Sequence, residues 1–223
     1  MRGLTVCCVL RSGGDYGPEW VHALKRGLNR HMDAPYRSPM HELEPGTWTL
    51  RCLSDVDLGR HSIPLLHDWP GWWAKVEVFR PDLFDGLVLY LDLDTLVVDD
   101  LSPLAEYAGS LAVLSDFYQP RIMASGAMLF RPGHHTEAIY RRFLANPGGV
   151  MARHRSRSDY WYAHHMGEAD RLQDLYPGRI VSFKRDARRG PPDGSWLVCG
   201  HGQPRFSDPA AGWAHQRWKR FSQ

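Results

Sequence analysis

"GLVLYLDLDTLVVDD", residues 86–100, is the stretch that decides the fold. Leu87 to Leu91 form an apolar run that reads as a buried strand, and Leu96, Val97 and Val98 continue it. Asp92 and Asp94 interrupt the run. A carboxylate is costly to bury unless it is paired, hydrogen-bonded or bound to a metal. The period of two along a strand puts both side chains on one face. No basic residue stands between them, so the two charges repel. A divalent cation removes the repulsion, and Mg2+ and Mn2+ prefer oxygen ligands. The carboxyl end of a central strand is also where open α/β sheets bind their ligands. The alternative for such acids is to cap a turn or helix. That reading suits Asp99 and Asp100, which precede "LSPLAEY".

Outward from this stretch, strands alternate with helices. "LTVCCVL" (4–10) and "TWTLRCL" (47–53) predict strands, and "PEWVHALKRGLNRHM" between them repeats Trp20, Leu24, Leu28 and Met32 at helical spacing. Pro18 suits the first turn of that helix. "GWWAKVEVFRPDLF" predicts a helix stopped before Pro81. "SLAVLSD" and "SGAMLFRPG" predict two strands, and "HTEAIYRRFLANPGG" and "SDYWYAHHMGEADRLQDLY" a helix each. "RIVSFKRD" and "SWLVCGHG" read as late strands before a basic, aromatic C-terminal helix. The alternation predicts an α/β chain, with a Rossmann-like, mostly parallel central sheet flanked by helices. Without an internal repeat or low-complexity linker, residues 1–223 read as one domain. Residues 1–120 read as a Rossmann-like half, and 121–223 as the half that completes the site.

The composition, 43% hydrophobic and 23% charged, is that of a globular protein. No apolar run approaches the roughly 18 residues of a membrane span. "MRGLTVCCVLRSGG" lacks a small-residue cleavage site and reads as a first strand, so the expected location is the cytoplasm. Cys7, Cys8, Cys52 and Cys199 show no metal-binding spacing and read as small buried hydrophobes. Cys7 and Cys8 would face opposite sides of one strand. Charge is uneven: residues 1–120 hold 10 Lys+Arg against 17 Asp+Glu, and residues 121–223 hold 17 against 8. Either the basic half meets an anionic partner, or the two halves neutralise each other across their contact.

Two enzyme classes end an apolar strand in Asp-x-Asp. Haloacid-dehalogenase-like phosphatases follow it with Gly-Thr, whereas here Thr95 follows Asp94 directly; Asp170 and Asp174 would be their further acids. The other class is the nucleotide-sugar glycosyltransferases of the GT-A fold. "GWWAKVEVFRPDLFDGLVLYLDLDTLVVDDLSPL" resembles glycosyltransferase family 8, the glycogenin-like group, and especially its small bacterial and phage members. "ASGAMLF", "VSFKRD" and "VCGHGQPRF" follow in the order and spacing of that group. The resemblance implies a UDP-sugar donor, UDP-glucose or UDP-galactose, and an Mn2+ or Mg2+ ion held by Asp92, Asp94 and His201. It implies donor contacts from Val9, Leu10, Arg11, Tyr16, Lys75, Leu93, Gly202 and Arg205, alongside the two aspartates. Ser125, Arg157 and Asp159 match the region that handles the transferred sugar, and the resemblance makes them the candidate catalytic residues. Two departures stand out. Ala124 replaces the group's usual Asn, and Arg157–Ser158–Asp159 replaces Asp-Gln-Asp.

The resemblance also implies retention of anomeric configuration, and no residue stands out as a covalent nucleophile. For the acceptor, Arg153, Arg155 and Arg157, then Lys184, Arg185, Arg188 and Arg189, then Arg217, Lys219 and Arg220 form basic clusters with interleaved Trp and Tyr. That pattern fits DNA held through its phosphates, and the phage resemblance makes a hydroxymethylpyrimidine such as 5-hydroxymethylcytosine the favoured acceptor, in host cytoplasm. A cell-surface polysaccharide or lipid-linked saccharide is the alternative. A non-catalytic nucleotide- or nucleic-acid-binding module is a third reading.

Overall fold

Neighbouring cysteines on the first strand, β1 (Leu4–Leu10), part to opposite sides of the sheet. Cys8 enters a core with Trp20, Leu24 and Leu28 of helix α1 (Pro18–Met32), and Cys7 a second core with Trp73, Phe143 and Trp161. All four cysteines are buried free thiols. The computed structural model describes residues 4–32, 36–37, 42–43, 48–155 and 158–223. After α1 come β2 (Tyr36–Arg37), β3 (Glu42–Leu43), β4 (Trp48–Ser54) and β5 (Ser62–Pro64). A 3₁₀ run, Gly71–Phe79, leads to β6 (Val88–Leu91) and β7 (Thr95–Val97). Next are β8 (Leu111–Ser115), β9 (Met123–Phe130), α2 (His134–Ala145), α3 (Pro147–Arg153) and α4 (Ser158–His165). The chain ends through β10 (Asp170–Arg171), α5 (Leu172–Leu175), β11 (Ile180–Ser182), β12 (Leu197–Cys199) and α6 (Trp213–Ser222).

The main sheet has seven strands in the order β10-β8-β9-β6-β1-β4-β5. β1 pairs parallel with β4 and β6, as do β4 with β5 and β8 with β10. β9 runs antiparallel to both its neighbours, β6 and β8. The sheet is thus mostly parallel, and every residue of β6 is buried, as a strand covered on both faces requires.

Residues 86–100 are not one strand. β6 stops at Leu91, the chain turns through Asp92, Leu93 and Asp94, and β7 joins a second sheet, β11-β12-β7. Asp92 N still donates to Gly126 O of β9 at 2.8 Å, while the turn carries Asp94, which is buried, out of the main sheet. Asp92 and Asp94 therefore converge through a hinge between two sheets, not through strand alternation. Two helical expectations also change. "GWWAKVEVF" winds with three residues per turn. The segment after α4 breaks at Gly167, whose φ of 63° is left-handed, and continues as β10 and α5.

α6 folds back onto α1, where Trp218 packs 5.0 Å from Trp20. Arg217 donates to Val97 O at 3.0 Å and lies 2.7 Å from His31 Nε2. A guanidinium only donates, so this contact needs a neutral His31. Burial, and then the Arg217 and Arg30 charges, hold the His31 pKa below its ordinary value. A depressed folded-state pKa gives stability that is present above the unfolded value, about 6.5, and lost as pH falls through the folded one. His31 should therefore draw the melting temperature down between pH 7.5 and 5.5, against Asp94, whose raised pKa favours folding as pH falls, and His31→Asn should narrow the drop. The narrowing is partial because His61, His165 and His201 are depressed as well. Thermal melts of both proteins across that range check this.

Candidate active site

A cavity of about 350 Å³ opens where β1 and β6 end, between the Gly14–Tyr16 loop, the 3₁₀ run and Arg205. The 3₁₀ run brings in Lys75, which is buried, with Nζ 2.7 Å from Asp92 Oδ1. Lys75 also donates to Ser125 Oγ at 3.1 Å and Ser125 O at 3.3 Å. The Tyr90 hydroxyl donates to Asp92 Oδ1 at 2.5 Å. Glu77 anchors the same run: fully buried, it accepts from the Leu66 and His67 amides at 2.7 and 2.8 Å and from Arg80 at 2.9 Å. Two neutral amides and one charged guanidinium donating to the carboxylate offset the cost of burying it.

Asp94 lies deeper. It accepts from the Tyr16 hydroxyl at 2.8 Å and from Arg205 Nη1 at 3.2 Å. Arg205 also bonds the Tyr16 hydroxyl and Asp15, the latter at 2.6 Å, with its guanidinium 4.9 Å from the Tyr16 ring centre. Burial pushes the Asp94 carboxyl up to about 6, and the Asp92 charge adds to this; Tyr16, Arg205 and Lys75 pull it back. Burial and the Asp94 charge raise the Tyr16 phenol too.

Gly200, just past β12, packs against this hinge. Its amide donates to Asp94 O at 2.6 Å. A Cβ there would lie 2.8 Å from Asp94 O, 3.2 Å from Asp94 Cβ and 3.0 Å from the Phe206 ring. The obstacle is backbone, which has nowhere to go. Gly200→Ala should cost about 1–3 kcal/mol, the usual range for overpacking, and displace Asp94. A lowered melting temperature together with weakened donor binding is the expected outcome.

Val9, Arg11, Tyr16, Lys75, Asp92, Leu93, Asp94 and Arg205 line this one cavity. Leu10 does not. Strand alternation turns it away from Val9 and Arg11 into the core, where it is 1% exposed. Gly202 lies outside the cavity walls and is exposed, with a left-handed φ of 64°, and a Cβ there would come 3.3 Å from Lys184 Nζ. His201 is not gathered with the acids. Its Nε2 is 2.7 Å from Ser182 Oγ, and its ring packs on Phe117 and Tyr118. Among the described residues, no group of three or more His, Cys, Asp or Glu could hold a metal ion. Asp159 Oδ1 accepts from the Ser125 amide at 3.1 Å and from its hydroxyl. Asp159, Ser125, Lys75 and Asp92 thus form one chain of contacts across the two halves. Arg157 lies outside the described residues. Asp170 bonds the Tyr107 hydroxyl at 2.7 Å on β10, at the far edge of the main sheet.

Trp72, Tyr90 and Asp15 also line the cavity and were not foreseen. Tyr90 precedes Asp92 by two residues and shares its face by strand periodicity. Trp72 precedes Lys75 by three, which eclipses the two in a 3₁₀ helix but not in the α-helix expected there. Trp72 is 52% exposed, an indole face open to solvent at the cavity.

No family model and no curated protein matches the chain. Solved structures do. The glycosyltransferase GlyE of Streptococcus pneumoniae TIGR4 superposes with a TM-score of 0.65 at 14% identity, over 100% of this chain and 61% of that one. The galactosyltransferase LgtC, solved in complex with donor and acceptor sugar analogs, gives 0.64 at 12% identity over 98% and 95%. The bifunctional glycosyltransferase WbbM gives 0.52 at 12%, over 100% and 52%. The fold is GT-A.

On this GT-A scaffold the cavity occupies the carboxyl end of the parallel strands, and the chain spans about 61% of the length of GlyE. Asp92 and Asp94 offer the oxygen ligands that a hard divalent cation takes. The Arg11 and Arg205 Nε groups are buried with no hydrogen-bond partner among the described residues, and both side chains line the cavity. Several arginines of the basic half have internal work instead. Arg217 holds α6 to the core, Arg188 lies over Phe183, and Arg185 and Arg179 donate to Phe117 O and Gly194 O. Arg205 pairs with Asp15 and Asp94 across the halves, part of the mutual neutralisation considered above. No described helix is long and apolar enough to cross a membrane.

Proposed function

We propose that the protein transfers a hexose from a nucleotide sugar, UDP-glucose or UDP-galactose, to a hydroxyl acceptor with the aid of Mn2+ or Mg2+. One observation carries this: two hinge carboxylates, Asp92 and Asp94, share a cavity with Lys75 and Arg205 at the ligand-binding end of a GT-A sheet. A cation held by the two aspartates would supply charge to stabilise the departing nucleoside diphosphate. Arg205 would present donors to its phosphate oxygens, and Lys75, whose N–H groups go to Asp92 and Ser125, adds positive charge behind them. Val9, Arg11 and Tyr16 form the wall that takes the nucleoside. Ser125 and Asp159 approach from the second half, on the side of the sugar. The reaction retains anomeric configuration: the acceptor oxygen bonds to the anomeric carbon on the face from which the phosphate oxygen leaves, and the acceptor proton passes to that oxygen.

For the acceptor, a saccharide is the first reading, because LgtC, a neighbour covered almost end to end, was solved with an acceptor sugar analog. Hydroxymethylated DNA is the second, carried by the basic excess of residues 121–223 and weakened by arginines that already bond the backbone, Arg217 to Val97 O and Arg185 to Phe117 O. The test is a panel of labelled UDP-sugars with Mn2+, offered oligosaccharides in one arm and 5-hydroxymethylcytosine DNA beside unmodified DNA in another. Transfer to a saccharide alone removes the DNA reading. No release of UDP and no transfer with any donor would leave the binding-module reading and reject the enzyme.

A further inference from the structure

A second cavity, of about 460 Å³, opens among the end of α2, α3 and α4. Arg153, His154, His164 and His165 line it with Trp161 and Asn146, and none of its described walls is an Asp or Glu. Trp161 is 3% exposed and packs on Trp73 and Phe143, so that wall is rigid. The His165 ring lies 4.6 Å from Trp161 and 4.9 Å from His164. The side chains of Arg153, His154, His164 and His165 make no hydrogen bond or ion pair with any described residue.

Four donor groups of potential like charge thus face one space without a counter-acid. Burial and the neighbouring His164, Arg142 and His154 lower the pKa of His165, as crowding of like charges must. A metal ion would meet Arg153 and the nearby Arg142, which repel it. An anion relieves the crowding and accepts from every one of these groups. The volume falls in the range of small-molecule sites, about 300–1,000 Å³, and exceeds what a bare phosphate needs. The two cavities have no lining residue in common and are distinct.

We propose that this cavity is a second binding site, for a phosphate monoester carrying a sugar-sized group, with Arg153, His154, His164 and His165 as its donors. The assignment does not depend on the transferase reading. The experiment is imidazole NMR on the full chain, titrated with inorganic phosphate in one arm and a hexose phosphate in the other. Saturable shifts of His154, His164 and His165, with His61 and His215 unmoved, are expected. Phosphate alone would show an anion site, and tighter hexose phosphate would show that the attached group is recognised too. Arg153 is exposed, so Arg153→Ala should fold; loss of a charge-assisted bond should weaken binding about tenfold or more. Asp94→Asn should leave the titration unchanged. Absence of selective shifts with both probes, or equal binding by Arg153→Ala, would overturn the site.

Discussion

Asp94→Asn should lower UDP-sugar turnover about a thousandfold and leave the protein at least as stable as the wild type. The loss follows from the position of the carboxylate. On the proposed reading it is one of two oxygen ligands for the cation, and removing preorganised charge at a departing group costs roughly 3–4 kcal/mol of transition-state stabilisation. The stability follows from the same burial. The Asp94 carboxyl is pushed up to about 6, against an unfolded value near 3.9, first by desolvation and then by Asp92. A raised folded-state pKa means that the ionised group opposes folding once pH rises above it. Asn removes that penalty and still accepts from the Tyr16 hydroxyl. Melting without added divalent cation and steady-state turnover with Mn2+ check both halves. Turnover above a tenth of wild type would contradict the assignment.

Arg205→Ala should raise the donor KM about thirty- to a hundredfold, the effect of losing a hydrogen-bonded charge worth about 2–3 kcal/mol. Arg205 links Asp15, Tyr16 and Asp94, and its Nε has no hydrogen-bond partner among the described residues. The same deletion leaves the buried Asp94 short of its counter-charge, so the melting temperature should fall, opposite to the Asn variant at position 94. Arg205→Lys should recover stability better than KM, because a single ammonium cannot reproduce a planar fork that meets three partners. Steady-state kinetics on the two variants separates these outcomes. An unchanged KM for Arg205→Ala would remove Arg205 from the donor site.

Apolar runs and helical spacing made the α/β class and the strands β1, β4, β6, β8 and β9 legible, because burial on two faces writes a strand plainly; the strand order, β5 and β10 were not. The hinge inside residues 86–100 was not legible. It depends on β12, where Val198 pairs with Leu96 a hundred residues away, and that pairing draws β7 out of the first sheet. The acids of the site were readable, because few other roles justify carboxylates in an apolar stretch. Leu10 was misplaced although strand alternation already separates it from Val9 and Arg11. Trp72 was hidden by assuming 3.6 residues per turn where the chain takes three. His201 carried the right surroundings, but Ser182, Phe117 and Tyr118 set its ring, and those neighbours are a property of the tertiary structure.

The central claim is that the hinge aspartates make a cation-dependent nucleotide site. Calorimetric titration of UDP, with and without Mn2+, into the wild type and Asp94→Asn tests it most directly. Saturable binding by the wild type that requires Mn2+ and disappears in the variant is the predicted result. UDP bound equally well by both proteins, or by neither, would contradict it.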